Sequence, residues 1–308
     1  MRNVCIFAGI VTYNPDVRRL KQNIEGIINQ IDTLLIFDNN SENVKDIVSL
    51  CEKYKKRIHV SCSEINRGIA FAFNYIMNFS IENGAEWVVL LDQDTVCPEG
   101  MITEYKKYLY EDHVAIIAPV LVDKRRARRR EQRKVIDSVV KVVSSGSMLK
   151  VSVYKKIGKF EEILFIDMVD YEYCMRVRIN GYKILQLGGV ILDQEFGTVK
   201  PNRFNKVFHC LYVITGFSIF THLEYVPVFN PNRVMYSFRN WTYCLKKYRL
   251  YSKKMKSIYQ ILFYGLRNYL RTGFSWTYLK AYIRGLIEGM RMKPEVYKTE
   301  SIHKIDLM

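Results

Sequence analysis

The sequence contains no C-x-x-C pair, although it has seven cysteines. Cys5, Cys51, Cys62, Cys97, Cys174, Cys210 and Cys244 are scattered and odd in number. That pattern argues against a disulfide framework or a thiolate zinc site and fits reduced thiols in a cytosolic setting. No stretch reaches the ~18 apolar residues of a membrane-spanning helix, and the run from Cys210 to Phe220 falls short of it. The opening MRNVCIFAGIVTYN has a short apolar run and no small-residue cleavage site, so it reads as a first strand and not as a secretion signal. No internal repeat of fixed period is present. Acidic residues are also scarce: 31 Asp+Glu face 47 Lys+Arg, for a net charge of +16. Such a balance favours contact with phosphates, whether of nucleotides, nucleic acid or anionic lipid.

What is present is an alternation of apolar runs and amphipathic segments. Strands are expected at Val4 to Val11, Thr33 to Phe37, Ile58 to Ser61 and Glu86 to Leu91. Helices are expected at Val17 to Gln30, Val44 to Tyr54 and Ile69 to Asn83. This β-α-β order predicts a mainly parallel, Rossmann-like α/β sheet flanked by helices, with ligands bound beyond the carboxyl ends of the strands. Further on, Val114 to Val120 and Val139 to Val143 read as strands, Ser144 to Ser147 as a turn, and Lys183 to Leu187 and Val190 to Leu192 as short extended pieces. Phe165 to Asn180 reads as a loop entering a helix that Gly181 stops. Helical patterns rich in Tyr, Phe, Lys and Arg follow at Arg233 to Tyr248, Lys256 to Arg271 and Trp276 to Met290. The expected domains are residues 1–204, a catalytic α/β unit, and residues 205–308, a basic and aromatic helical extension. At 308 residues and 49% hydrophobic, the chain can bury a large core.

The polar residues that close the first four strands are the ones able to do chemistry. The apolar run Trp87 to Leu91 ends in Asp92-Gln93-Asp94. Two carboxylates on one side of a strand end repel each other unless a hard divalent cation sits between them. The plain alternative is one aspartate capping the next helix and the other solvated. Asp38, in the stretch IFDNNS, either accepts hydrogen bonds from a base or ribose or forms an Asx-turn or helix cap. Thr12-Tyr13-Asn14-Pro15 follows the first strand, and a strand-to-helix turn is its plain reading. In Asn66-Arg67-Gly68 the glycine allows close backbone approach and the arginine can meet a phosphate, or the three form an ordinary loop. Within FIDMVDYEYCMR, Asp167, Asp170 and Glu172 lie at a helix start, where carboxylates offset the helix dipole. An Asp170 facing the same pocket could instead take a proton from an attacking hydroxyl.

Together, Thr12-Tyr13-Asn14, Asp38-Asn39-Asn40-Ser41, Asn66-Arg67-Gly68, Asp92-Gln93-Asp94, Ser145-Gly146-Ser147 and Val169-Asp170-Tyr171-Glu172 resemble glycosyltransferase family 2. More narrowly they resemble its bacterial rhamnosyltransferase-like branch. The resemblance runs from about Val4 to Gly197, with a weaker echo at Arg233 to Tyr248. It implies a GT-A fold, a dTDP- or UDP-linked sugar donor and an inverting transfer. It implies donor contacts at Thr12, Asn14, Asp38, Asn66, Arg67, Gly68 and Asp92, with Mg²⁺ or Mn²⁺ on Asp94 and Asp92. Asp170 falls at the catalytic base, and Ser145, Gly146 and Glu172 fall on the acceptor side. Two positions depart from the family pattern: Val169 replaces a usual glutamate, and Gln194 stands where many relatives carry a histidine.

Rhamnose from dTDP-rhamnose is the expected donor sugar, with galactose or glucose from UDP as the alternative. The expected acceptor is a lipid-linked saccharide at the cytoplasmic face of the cell membrane. The segment Lys246 to Arg291 mixes cations with Tyr, Phe, Leu and Trp, as an interfacial helix does, and cations near anionic lipid contribute roughly 1 kcal/mol each. The run KRRARRREQRK, Lys124 to Lys134, reads as part of an acceptor-side loop or as a solvated one. Two rivals fare worse. A sugar nucleotidyltransferase is expected to carry a Gly-rich basic loop after its first strand, whereas Thr12 to Asp16 has no glycine. A nucleic-acid binder explains the charge but not carboxylates gathered at one sheet edge, so no nucleic-acid partner is expected.

Overall fold

The protein is described here as a computed structural model. The structure describes residues 4–54, 56–122, 139–194, 199–217, 219–251 and 254–299. The basic run 124–134 lies outside them. The chain divides into two compact units, Met1–Glu195 and Phe196–Lys298. The second unit takes in the short strand that precedes Asn205.

In the first unit, strands β1 (Ile6–Thr12), β2 (Thr33–Asp38), β3 (Ile58–Cys62), β4 (Trp87–Asp92), β5 (Val114–Val122), β6 (Ser147–Lys150) and β7 (Lys183–Asp193) form one sheet in the order β3-β2-β1-β4-β6-β5-β7. All pairings are parallel except those of β6, which runs antiparallel to β4 and β5. Six strands therefore end on one edge, and β6 starts there. Residues of β1 alternate between two covered faces, as the period of a strand requires. Ile6, Ala8 and Ile10 join the core cluster with Leu20, Ile24 and Ile27 of α1 (Val17–Ile27) and Ile47 of α2 (Val44–Cys51). Gly9 faces the other way, where a Cβ would strike Ile76 of α3 (Gly68–Glu82). The remaining helices of this unit are α4 (Met101–Lys106), α5 (Val151–Ile157) and α6 (Val169–Ile179).

The expected strand at Val139 to Val143 is not formed. Val139 makes one backbone bond to Ile184, after which the segment bends. The Val142 and Val143 carbonyls are taken by the Cys174 thiol and the Ser147 hydroxyl, which leaves no ladder. The two extended pieces at Lys183 and Val190 are one strand, β7, whose register against β5 shifts between Pro119 and Val120. Such an irregularity lets a long strand bend and re-aim its end.

The second unit holds β8 (Val199–Pro201), α7 (Asn205–Thr215), α8 (Ile219–Leu223), β9 (Tyr225–Pro227), α9 (Pro231–Lys247), α10 (Lys254–Arg271) and α11 (Trp276–Arg291). Gly285 and Gly289 of α11 lie against the α9 backbone, so the two helices pack closely. All seven cysteines are free thiols. Among the described residues no helix is long and apolar enough to cross a membrane.

Candidate active site

The strand order reverses direction between β1 and β4, the place where open α/β sheets form a crevice. The loops after these two strands are tied across it: Tyr13 N donates to Gln93 Oε1 at 2.8 Å. Three strand ends contribute the candidate donor pocket. Asp38, only 1% exposed, closes β2. Its Oδ1 accepts from the Thr12 hydroxyl at 2.8 Å and the Ser41 hydroxyl at 2.5 Å, and its Oδ2 accepts from Ser41 N at 2.8 Å. Thr12 is fully buried, so its side chain positions Asp38 from behind. Asn14 is exposed, with φ 49°; its N–H donates to Ser41 Oγ and its Oδ1 accepts from Glu42 N.

The Asn66-Arg67-Gly68 loop joins the same edge. Arg67 N donates to Asn39 Oδ1 at 2.8 Å, and the Arg67 guanidinium lies 3.6 Å over the Phe71 ring. Asn66 Oδ1 accepts from Gly68 N. Gly68 has φ +82°, and a Cβ there would stand 2.5 Å from the Phe165 carbonyl oxygen. That carbonyl also accepts from Ile69 N, so the start of α3 and the approach to α6 are fastened together. The approach itself is strained: Phe165, Asp167 and Met168 all have φ between 60° and 65°. Such conformations persist only where the surroundings enforce them, and they gather at functional sites.

At the end of β4, Asp92 and Asp94 are both half-buried. Only Asp92 belongs to the strand. Asp94 lies in the turn beyond, where Thr95 N bonds Asp92 O, so strand alternation does not set its direction. Neither aspartate caps α4, whose N-cap is Gly100. Gln194 Nε2 donates to Asp92 Oδ2 at 2.7 Å. The other amide atom, Gln194 Oε1, is buried and has no hydrogen-bond partner among the described residues. This donor set suits a hard divalent cation, which takes a few oxygen ligands from protein and the rest from phosphate or water. Among the described residues no cluster of three or more His, Cys, Asp and Glu stands ready to hold a metal; Asp92 and Asp94 are the carboxylates at this edge that could contribute oxygen ligands to one.

Asp170 lies in the first turn of α6, with its oxygens accepting from Tyr171 N at 2.9 Å and Ser144 N at 3.2 Å. Burial pushes its carboxyl up to about 6, against the pull of those two N–H groups; the charges of Asp92 and Asp167 push the same way as burial. Asp92 and Asp170 therefore sense each other across the edge. A carboxylate titrating there is matched to general-base work near neutral pH.

Residues 8–167 match glycosyl transferase family 2, just over half of the chain. The chain belongs to that family. It is also 26% identical to the dTDP-rhamnosyl transferase RfbF of Shigella flexneri, over 94% of this chain and 96% of that protein. Two solved structures share the fold. The mannosyltransferase PcManGT of Pyrobaculum calidifontis, in complex with GDP-Man and Mn²⁺, superposes with a TM-score of 0.55 at 13% identity, over 93% of this chain and 87% of that one. S. aureus TarS 1-349 with UDP-GlcNAc superposes with a TM-score of 0.55 at 14% identity, over 94% and 81%. The family 2 chain thus has the mainly parallel sheet its strand pattern predicts and the GT-A fold its resemblance to the family implies.

The three residues expected on the acceptor side of this family 2 chain, Ser145, Gly146 and Glu172, are all buried. Glu172 is fully buried in an ion pair with Arg176 at 2.8 Å, and Arg176 also donates to the Ile157 and Lys159 carbonyls. The pair holds α6 to the end of α5. Ser145, also fully buried, shares a 2.5 Å hydrogen bond with Thr95, under the Asp92 turn. Gly146 has φ +77° and sits against Pro119 and Leu192, with its N–H on Leu90 O and its carbonyl accepting from Tyr105. Both support the turn that carries Ser144 to Asp170.

Two supporting residues escaped the sequence reading. Asn23 Nδ2 donates to Asp92 O at 2.7 Å, and Arg19 Nε donates to Asp94 O at 2.8 Å. They lie four residues apart on α1 and brace the aspartate turn from below. The available signal was Asn23 itself, a polar residue in the arc of Leu20, Ile24 and Ile27. One surface groove, lined by Glu25, Lys53, Tyr54 and Arg57, lies where α1 ends and β3 begins, away from these carboxylates.

Proposed function

We propose that this family 2 enzyme inverts configuration while moving rhamnose from dTDP-rhamnose to a hydroxyl of a lipid-linked saccharide, in surface polysaccharide synthesis. The observation that carries the reading is the meeting of Asp170 with the Asp92-Gln93-Asp94 turn at the carboxyl edge of the sheet. Similarity to a dTDP-rhamnosyl transferase along nearly the whole chain supports the sugar. A lipid-linked acceptor would place the reaction at the inner face of the cell membrane.

In this mechanism Asp170 takes the proton from the acceptor hydroxyl as its oxygen attacks the anomeric carbon. The bond from that carbon to the diphosphate breaks on the opposite face, through an oxocarbenium-like transition state. Asp38, braced by Thr12 and Ser41, and the Asn66-Arg67-Gly68 loop orient the nucleotide, with Asn14 at the rim. Mg²⁺ or Mn²⁺ held by Asp94 and Asp92 would supply neutralisation of the leaving diphosphate.

Calorimetric titration tests the reading. The titrants are dTDP-rhamnose, UDP-glucose and UDP-galactose, with and without Mn²⁺, on wild type and Asp94→Ala. Metal-dependent binding of dTDP-rhamnose that the variant loses is the expected result. Preference for a UDP-hexose would replace the sugar, and no binding of any nucleotide would overturn the site.

A further inference from the structure

We propose that the second unit binds the surface of anionic phospholipid membranes through the outward face of α10. The inference deepens the proposed function by naming a surface and its partner; it rests on that reading only for which membrane is met.

The first observation is an apolar face left uncovered. Ile258, Tyr259, Leu262, Phe263, Leu266 and Leu270 are each 37–66% exposed. At 100° per residue they fall within an arc of about 140° on one side of the helix. The opposite side is already packed: Ser257, Ile261 and Gly265 are buried, and Gly265 lies against the Tyr282 ring of α11. The outward leucines are thus not a misplaced core. In α7, none of the residues from Asn205 to Thr215 is buried, although Val207, Val213 and Ile214 are among them.

The second observation is charge. Residues 196–298 contain 18 Lys or Arg against three Asp or Glu, whereas the rest of the chain contains 29 against 28. Almost the whole net charge of +16 therefore belongs to the second unit. Helix α10, KMKSIYQILFYGLRNYLR, has no acidic residue. In α11 the single glutamate, Glu288, pairs with Arg284. Trp276, 63% exposed, stands at the start of α11 with the Lys280 ammonium 5.7 Å over its ring.

These two features together select the occupant. A second copy of the unit would bring like charges together at the apolar face. Nucleic acid would meet the cations but leave the aliphatic arc without a partner, since leucine and isoleucine offer no stacking face. A bilayer with anionic headgroups takes both: the arc enters the acyl boundary while Lys and Arg stay at the phosphates.

The test is sedimentation of the full chain with vesicles of phosphatidylcholine, alone or mixed with phosphatidylglycerol, while tryptophan emission is recorded. Of the three tryptophans only Trp276 is exposed, since Trp87 and Trp241 are 3% and 8% exposed. A blue shift therefore reports on this region. Binding to the mixed vesicles with a blue shift, weakened by salt, is expected. The double variant Leu262→Glu, Leu266→Glu should lower partitioning at least about tenfold. It should keep the wild-type thermal midpoint and dTDP-rhamnose affinity; Leu270→Glu alone is a milder second variant. Unchanged partitioning of both variants, no binding to mixed vesicles, or a dimer that the substitutions abolish would each overturn the inference. So would displacement of bound protein from the vesicles by arbitrary duplex DNA. Donor titration on the same preparation separates this failure from failure of the transferase reading.

Discussion

Gln194 holds Asp92: its side-chain amide donates to Oδ2 at 2.7 Å, joining the end of β7 to the end of β4. The same amide presents a buried oxygen without a partner among the described residues. In the proposed mechanism Gln194 is therefore a positioning group for Asp92, one of the two carboxylates that would hold the metal. Hydrogen bonds to a charged group contribute about 1.5–3 kcal/mol, so Gln194→Leu should lower kcat/KM by roughly ten- to a hundredfold. The concentration of Mn²⁺ giving half-maximal rate should change as well, which a purely structural role would not produce. Gln194→His, which can still donate to Asp92, should recover much of the loss. Steady-state kinetics across a Mn²⁺ series checks all three statements.

Asp170 should set the acid limb of the pH profile. Its carboxyl is pushed up to about 6 by burial, with Asp92 and Asp167 adding to the push. The base works when deprotonated, so kcat/KM should fall below about pH 6, by about tenfold per pH unit. Asp170→Asn should remove the limb together with most of the rate, on the order of a thousandfold or more. A profile that stays flat down to pH 5 would assign the proton transfer elsewhere.

The succession β1-α1-β2-α2-β3-α3-β4 was legible because each element announces itself locally, through an apolar run or a helical stripe. Asp92 and Asp38 stood out because carboxylates at the ends of apolar runs are unusual, and Asp170 through its place in the family resemblance. What was not legible depends on distant pairing. β6 has four residues and exists as a strand only because β4 and β5 flank it. The Gln194–Asp92 bond spans 102 residues. Glu172 and Arg176 stand four apart, a spacing equally good for a solvated ion pair, and only the packing of α6 buries them.

Gly68 and Gly84 offer a controlled comparison of backbone strain and steric conflict. Both have φ +82°, but a Cβ at Gly84 meets nothing within 4 Å, whereas at Gly68 it meets the Phe165 carbonyl at 2.5 Å. Left-handed backbone costs a non-glycine residue roughly 1–2 kcal/mol, and Gly84→Ala should lose about that much. Gly68→Ala should lose more, because a backbone oxygen cannot step aside without moving the approach to α6. Urea unfolding midpoints should order the proteins as wild type, Gly84→Ala, Gly68→Ala. Donor affinity should fall only in the last.

Glu172 is a structural carboxylate on the helix that carries the proposed base. It lies two residues from Asp170, yet it faces the interior and neutralises Arg176, which in turn holds two carbonyls near the end of α5. Removing one partner of a buried pair leaves the other charged and uncompensated, at a cost of about 3–5 kcal/mol. Glu172→Ala should therefore lower the thermal midpoint markedly, while the protein that remains folded keeps its KM for donor and acceptor. The paired substitution Glu172→Leu, Arg176→Met removes both charges and should recover part of the stability, although Arg176's bonds to the two carbonyls are lost with it. A Glu172→Ala enzyme with wild-type stability and a raised acceptor KM would place this residue on the acceptor side instead.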